Sequence, residues 1–496
     1  MSESVRVRFA PSPTGEPHVG NIRTAIFDWL FARNQALQGK ETAFIIRIED
    51  TDVARRVEGA VESTLEALRW LGLDWDEGPD VGGPYGPYVQ SQRLPSYQEA
   101  VNRLVEQGDA YSCYCSPERL DEMRREQRAL KRPPGYDRRC RDLNHEERQK
   151  QANGGTKTVV RFKMPLEGTT VCHDLIRGQV EFENRLLDDF VILKSDGYPT
   201  YHLASVVDDH AMEISHVLRA EEWLSSLPRH LKVYEALGYS PPLFAHLPII
   251  LGPDRAKLSK RHGATAVLEY RRLGYLPEAM LNFLTLLGWS LDDHTEVMST
   301  EQLIQHFSLE RITSSAAIFN QEKLTWLNGV YIREFSPEEL ARRIRPFLES
   351  QLSSSTPHPL DDSYLLRIVP LIQERLKTLA EAPALTEFFF QEKLKYDSTL
   401  LLGRDLDQST AHGALQRVIA ALGELPSTTP WDATALEGVI RPLAEKLGLK
   451  TGQLFGIIRV GVTGRIAAPP LFQTMEVLGR ERCLSRLHVA LDLLTS

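Results

Sequence analysis

Long apolar runs are missing from this chain. No stretch approaches the roughly 18 consecutive apolar residues of a membrane-spanning helix, and the Met-Ser-Glu-Ser start carries no apolar signal core. A cytoplasmic protein without membrane contact is expected. Cysteine is scarce and odd in number: Cys113, Cys115, Cys140, Cys172 and Cys483 are the five among 496 residues. That excludes a disulfide framework and points to thiols. An excess of positive charge is also missing. The net charge of −9 argues against a nonspecific nucleic-acid binder but leaves room for local basic faces. One such face runs from Arg124 to Arg141, with eight Lys/Arg against two acids; taken alone it is most simply a solvated helix surface. No internal repeat is visible.

What is present is an ordinary globular composition, 42 % hydrophobic and 25 % charged, in a chain long enough for roughly three or more domains. Phe9 to Asn21, Phe-Ala-Pro-Ser-Pro-Thr-Gly-Glu-Pro-His-Val-Gly-Asn, organises the rest. Val5-Arg6-Val7-Arg8-Phe9 alternates and predicts a strand before it; Ile22, Ala25, Ile26, Trp29 and Leu30 predict a helix after it. The prolines between forbid regular structure and stiffen a loop. Free amides and the positive end of a helix suit phosphate, His18 can donate to it, and Gly20 lets a base or sugar approach the backbone. The stretch is neither a Walker loop nor a G-x-G-x-x-G fingerprint.

Far along the chain, Lys257-Leu258-Ser259-Lys260-Arg261 follows the apolar run Leu247–Leu251. Together with His18-Val19-Gly20-Asn21 it resembles the two signatures of class I aminoacyl-tRNA synthetases. The first usually ends in histidine; Asn21 stands there instead, and an amide still donates. Ala10–Gly15, Arg47–Asp52, Tyr198–His202, Val206–His210 and Leu218–Trp223 are similar to the words of bacterial glutamyl-tRNA synthetases. The specific resemblance runs from about Arg6 to about Arg333.

Strand Glu41–Ile48, the acidic Glu49-Asp50-Thr51-Asp52 at its end and the helical pattern Val57–Leu71 open a doubly wound parallel sheet. The expected architecture is α/β multidomain: a nucleotide-binding core at 1–110 and 190–262, an inserted α/β domain at 111–189, and helical regions at 263–335, 336–425 and 426–496. The core resumes at Phe190–Leu193. The Ser353–Pro359 and Pro426–Pro430 stretches break the helical half. The resemblance assigns the insertion to the tRNA acceptor end and the helical half to the anticodon.

The resemblance also implies a reaction and its residues. L-glutamate and ATP, with Mg²⁺ held by phosphates and water, give glutamyl-adenylate; the terminal ribose of tRNA-Glu then takes the glutamyl group. His18, Lys257 and Lys260 are the catalytic candidates, acting by position and charge. Gly20, Glu222, Trp223, Ile250, Leu258, Ser259 and Arg261 join them around ATP. Arg8, Arg219 and Tyr201 receive the substrate side chain, Glu49 and Ser12 its ammonium, with Ala10 and Ser205 alongside. Arg375 is a candidate anticodon contact. Cys113-x-Cys115 and Cys140-x-Asp142 resemble a Zn²⁺ site of some bacterial members, whose fourth ligand can be histidine; His145 lies three residues beyond Asp142. Buried free thiols are the alternative. A monomer is expected. Left open are an enzyme that also charges tRNA-Gln and a noncatalytic tRNA-binding paralogue. A glutaminyl-tRNA synthetase would carry a β-barrel in place of the helical half.

Overall fold

The computed structural model describes residues 4–133, 135–152, 158–352, 360–403 and 406–495, without the side chains of His145, Ala152 and Lys260. The break expected at Ser353–Pro359 lies outside the described residues. The chain forms two compact units. The first holds Met1–Tyr270 and Pro277–Gln321; the second holds Arg271–Leu276 and Glu322–Ser496.

In the first unit the alternating start forms β1 (Ser4–Phe9), and α1 (Val19–Leu37) leads into β2 (Glu41–Ile46), parallel to β1 with Arg8 opposite Ile45. Phe44, Ile45 and Ile46 are fully buried, as a parallel strand covered on both faces requires. Helix α1 is buried on most of its circumference because it lies between the strands and the helices Pro277–Leu286 and Thr300–His306. Asn34 fixes that packing by donating to the carbonyls of Ile304 and Gln305 at 2.9 and 3.1 Å. Next come α2 (Ala60–Trp70) and α3 (Leu94–Glu106). Val57, read as part of the second helix, precedes it and is exposed; its amide is taken by the Pro13 carbonyl.

The inserted region carries β3 (Ala110–Cys113), α4 (Pro117–Ala129), α5 (His145–Ala152), β4 (Val159–Phe162), β5 (Thr169–Asp174) and β6 (Gly178–Glu183). Then β7 (Val191–Leu193) follows, where the parallel sheet was expected to resume. Instead it closes an antiparallel sheet of order β3-β4-β7. A three-residue run announces a strand but does not name its partner, and here the partner is β4. The parallel strands return with α6 (Tyr201–Ala211), β8 (His216–Ala220), α7 (Leu227–Ala236) and β9 (Leu243–Leu247). β8 and β9 pair in parallel, the β5–β6 hairpin extends that sheet at Asp174–Phe244, and Ser215 N donates to Arg6 O at 2.9 Å, tying β8 to β1. The carboxyl ends of β1, β2 and β8 therefore share one edge, where ligands bind in such sheets.

The second unit is helical. Residues from Ile368 to Leu494 share one apolar cluster, and helices on both sides of Pro426–Pro430 contribute to it. Ser336, Asp361, Asp407 and Asp432 cap four of its helices through their side chains, each supplying an acceptor for an otherwise unpaired amide.

Candidate active site

At the strand edge lies an open cleft of about 450 Å³, lined by Arg8, Ala10, Ser12, Glu49, Tyr201, Arg219, Glu222 and Trp223 among others. Eight residues assigned from the sequence thus meet on one wall system, although they come from four separated stretches.

Arg8 is the penultimate residue of β1 and is buried. Its Nε donates to Asp209 at 3.0 Å, and Nη2 meets the second oxygen at 3.4 Å. Arg47 donates to the same Asp209 at 2.7 Å and to Glu49 at 3.0 Å. Burial alone would raise the Asp209 carboxyl, but Arg8 and Arg47 together hold it below the usual carboxylate range. Glu49 moves the other way: burial raises it despite Arg47 and Arg8. Behind this layer Asp208 accepts from Arg93 (2.6 Å), Gln90 (2.9 Å) and the Tyr97 hydroxyl (2.8 Å). Arg47, Asp208, Asp209 and Gln90 carry no assignment from the sequence. For the first three the only signal was position inside the words Arg47–Asp52 and Val206–His210, and Gln90 had none.

Arg219, on β8, is 5 % exposed. It donates to the Tyr201 hydroxyl at 3.0 Å and to two imidazoles, His246 and His230, at 2.9 and 3.1 Å. The Trp223 ring lies 4.5 Å from that of Tyr201 and covers this end of the cleft. Ser205 is a correction. It does not line the cleft, and its hydroxyl donates to the Tyr201 carbonyl at 2.7 Å, the usual internal bond of a mid-helix serine.

His18 is the N-cap of α1 rather than part of its first turn, and its Nδ1 accepts from Gly20 N at 3.2 Å. That bond leaves Nε2–H as the donor. Burial first, then the charge of Lys257, lowers the His18 pKa, so the ring is neutral near pH 7. The expected free helix amides are not there: Val19 N donates to Thr265 O, and Asn21 N and Ile22 N both donate to His18 O. Their partners come from the chain itself, so side chains, not amides, are left to meet a phosphate. A Cβ at Gly20 would meet only His18 Nδ1, at 3.5 Å.

The second signature is brought to the first by backbone. Val267 N donates to Pro17 O, and His18 pairs with Ala266 as an isolated bridge. Ile250 is a buried residue of the short strand β10 (Ile250–Leu251), paired in parallel with β11 (Ala317–Ile318). From there the chain doubles back, with Leu258 N on Ile250 O, and Leu258 is buried. Gly252 is required at that bend because a Cβ would stand 2.8 Å from the His262 ring. Ser259 N donates to His262 Nδ1 at 3.1 Å, and Arg261 pairs with Asp254 at 2.9 Å. Lys257 reaches Glu222 at 2.7 Å on the cleft rim, both side chains being exposed. The Lys260 side chain lies outside the described residues.

In the insertion, Cys113, Cys115 and Cys140 bring their sulfurs within 4.8 Å of one another. Cys115 and Cys140 are 3.7 Å apart, close to the spacing of two thiolates on one tetrahedral zinc. Asp142 is exposed and stands outside this cluster; the His145 side chain lies outside the described residues. The sequence missed Tyr136, whose hydroxyl lies 3.4 Å from Cys113 and 3.6 Å from Cys115. Hydrogen bonding from Cys140, then Tyr136, holds the Cys113 thiol down at about 4, so one thiolate is already favoured there. Of the basic run, Arg138 and Arg141 are spent on Asp189 at 3.4 and 2.8 Å. Arg124 and Arg125 stay on the exposed surface of α4.

In the helical unit Arg375 ends the short turn Gln373–Arg375 and is exposed. Its charge helps lower the Arg459 pKa, burial being the larger cause.

A parallel nucleotide sheet whose His-x-Gly corner is fastened to a Lys-Leu-Ser-Lys-Arg loop defines the class I aminoacyl-tRNA synthetases. Residues 4–326 match the family described as tRNA synthetases class I (E and Q), catalytic domain, and residues 339–491 match an anticodon binding domain. A glutamate–tRNA ligase of Dehalococcoides mccartyi (strain CBDB1) is 59 % identical over 99 % of this chain and 98 % of its own. One of Moorella thermoacetica is 48 % identical over 98 % of each. A crystal structure of a glutamate tRNA ligase from Elizabethkingia meningosepticum, in complex with its amino acid, superposes with a TM-score of 0.87 at 35 % identity over 98 % of this chain and 99 % of that one. This chain belongs to the bacterial glutamate–tRNA ligase family.

Proposed function

We propose that the chain activates L-glutamate with ATP and transfers it to the 3′-terminal adenosine of tRNA-Glu. The observation that carries this reading is one cleft lined by the cations Arg8 and Arg219 and the anion Glu49. It stands beside the corner where the charge of Lys257 acts on His18, which is the arrangement an amino acid with a carboxylate side chain needs next to a triphosphate. The α-carboxylate attacks the α-phosphorus, a C–O–P bond forms, and pyrophosphate leaves. A ribose hydroxyl of tRNA then attacks the acyl carbon and AMP leaves. Both steps gain from positioning and from cations over developing negative charge.

In this reading His18 Nε2–H and Lys257 hold phosphate oxygens, with Lys260 the main contact in the transition state. Tyr201 and Arg219 hold the side-chain carboxylate, with Arg8 behind them. Glu49 and Ser12 receive the ammonium. Mg²⁺ accompanies ATP and neutralises its phosphates. Cys113, Cys115 and Cys140 hold a structural zinc, with Tyr136 beside them. The insertion, with the exposed arginines of α4, meets the acceptor end, and Arg375 reads the anticodon. The protein acts as a monomer.

The test is glutamate-dependent ATP–pyrophosphate exchange without tRNA, with tRNA-Glu and with tRNA-Gln. Exchange with tRNA-Glu alone is the expected result. Exchange with both keeps the chemistry and makes the enzyme non-discriminating. Folded protein that binds tRNA without exchange under any condition would sink the catalytic reading.

A further inference from the structure

Two buried arginines line the same cleft, and they are held differently. Arg8 is neutralised by a carboxylate: Asp209 takes two of its nitrogens. Arg219 is equally buried, yet among the described residues no carboxylate lies within ion-pair distance of it. Its acceptors are the Tyr201 hydroxyl, the Trp223 carbonyl at 3.4 Å, His246 Nε2 and His230 Nδ1. A guanidinium only donates and stays charged, so both ring nitrogens that face it must be bare. His246 then carries its proton on Nδ1, aimed at Asp174 at 2.6 Å. His230 carries its own on Nε2, aimed at His202 Nδ1 at 3.1 Å. Both imidazoles are therefore neutral while Arg219 sits in place. Burial, the larger cause, and the Arg219 charge lower the pKa of His230 well below the ordinary value, and burial also lowers that of His246.

We infer that His230 and His246 are positioning residues that fix Arg219 with neutral acceptors, so that its whole positive charge is kept for the ligand and the cleft selects a carboxylate over a carboxamide side chain. This rests on the glutamate reading given above. A carboxylate in either place would hold the guanidinium as firmly and would remove the charge that makes the choice. Packing reinforces the geometry. The Arg219 carbon lies 5.3 Å over the Phe244 ring, and the Tyr201 and His230 rings meet edge to face at 5.2 Å. The guanidinium is thus held without a competing anion.

The experiment separates position from charge at one atom. Asparagine at 230 offers an amide oxygen where Nδ1 stands; aspartate offers a charged one in the same place. Exchange is measured with tRNA-Glu present, against glutamate and glutamine, for the parent, His230→Asn and His230→Asp, with melting temperature as the check on folding. His230→Asn should keep the glutamate-over-glutamine ratio of kcat/KM within about threefold of the parent. His230→Asp should raise the glutamate KM about tenfold or more and lower that ratio by a similar factor, with the ATP KM unchanged. Where aspartate prevents folding, His246→Gln against His246→Glu makes the same comparison at the other acceptor. Equal glutamate KM and equal selectivity for the amide and carboxylate variants would overturn the inference while leaving the activity standing. A folded parent with no glutamate-dependent exchange would overturn the functional reading itself and this inference with it.

Discussion

Asp209 receives Arg8 at 3.0 Å and Arg47 at 2.7 Å, and none of the three side chains is more than 4 % exposed. One carboxylate therefore fixes the ends of two neighbouring strands, β1 and β2. Removing it would leave two buried cations with too little negative charge. Asp209→Asn should lower stability by about 3–5 kcal/mol, as breaking buried pairs does, and should cost more than any exposed pair in the protein. Urea denaturation checks the size; a loss under 1 kcal/mol would mean that water or another group takes over the pairing. The folded-state pKa of Asp209 is depressed, so its contribution is full above about pH 4 and is lost as pH falls through and below that value.

Lys257 and Glu222 form an ion pair in which both partners are exposed, and such pairs contribute about 0–1 kcal/mol. Lys257→Ala should therefore leave the melting temperature nearly unchanged; the exchange assay is run on it and on Lys260→Ala. Exchange should fall by a factor on the order of 100 or more, the range seen when one group aimed at developing charge is removed. A variant that keeps parental exchange would remove that lysine from the triphosphate.

Zinc content follows from the cluster. Purified protein should hold about one zinc per chain. Cys140→Ser should abolish that content, and Asp142→Ala should leave it intact, because Asp142 stands outside the three sulfurs. Elemental analysis of the two variants decides it; zinc lost in Asp142→Ala would restore the carboxylate to the site. Tyr136→Phe should weaken retention during dialysis against a chelator, since its hydroxyl lies between the thiols.

Several buried or half-buried histidines are neutral. Burial lowers His202 and His216 to about 4, and it lowers His230 and His246 as well. For a histidine with a depressed folded-state pKa, the unfolded chain binds the proton first. Stability is therefore full above about pH 6.5 and falls as pH drops from there toward 4, by up to about 1.4 kcal/mol per pH unit for each such group. Urea midpoints at pH 7, 6 and 5 measure the slope. His216→Gln should reduce it, and a flat profile between pH 7 and 5 would contradict the neutral assignment.

Much of the site was legible because its residues sit at strand ends inside distinctive words. Arg8 and Arg219 each stand one residue before the end of a strand, and Glu49 follows a solid apolar one. The partners were not legible. Asp209 is 201 residues from Arg8, and nothing in a run of Val-Val-Asp-Asp says which acid faces inward or which cation it meets. Ser205 was misplaced for a local reason: a helix carbonyl four residues back competes for its hydroxyl. The helix amides were misplaced because the segment that consumes one of them, Thr265, lies beyond the second signature. Asp142 was a ligand candidate by resemblance, whereas it is exposed and stands outside the three sulfurs. Tyr136, a plain aromatic in a basic stretch, gave no signal.

The backbone bridge between His18 and Ala266 has a consequence for recognition kinetics. The segment bearing Lys257 is tethered at one end by β10 and at the other by Thr265–Val267 on the helix N-cap. A loop so tethered has already lost most of the freedom that closing it around a nucleotide would otherwise remove. The signature halves, some 240 residues apart in the chain, thus meet ATP as one preassembled edge. Association should then be limited by encounter and by the settling of lysine side chains, not by a search of the two halves for each other.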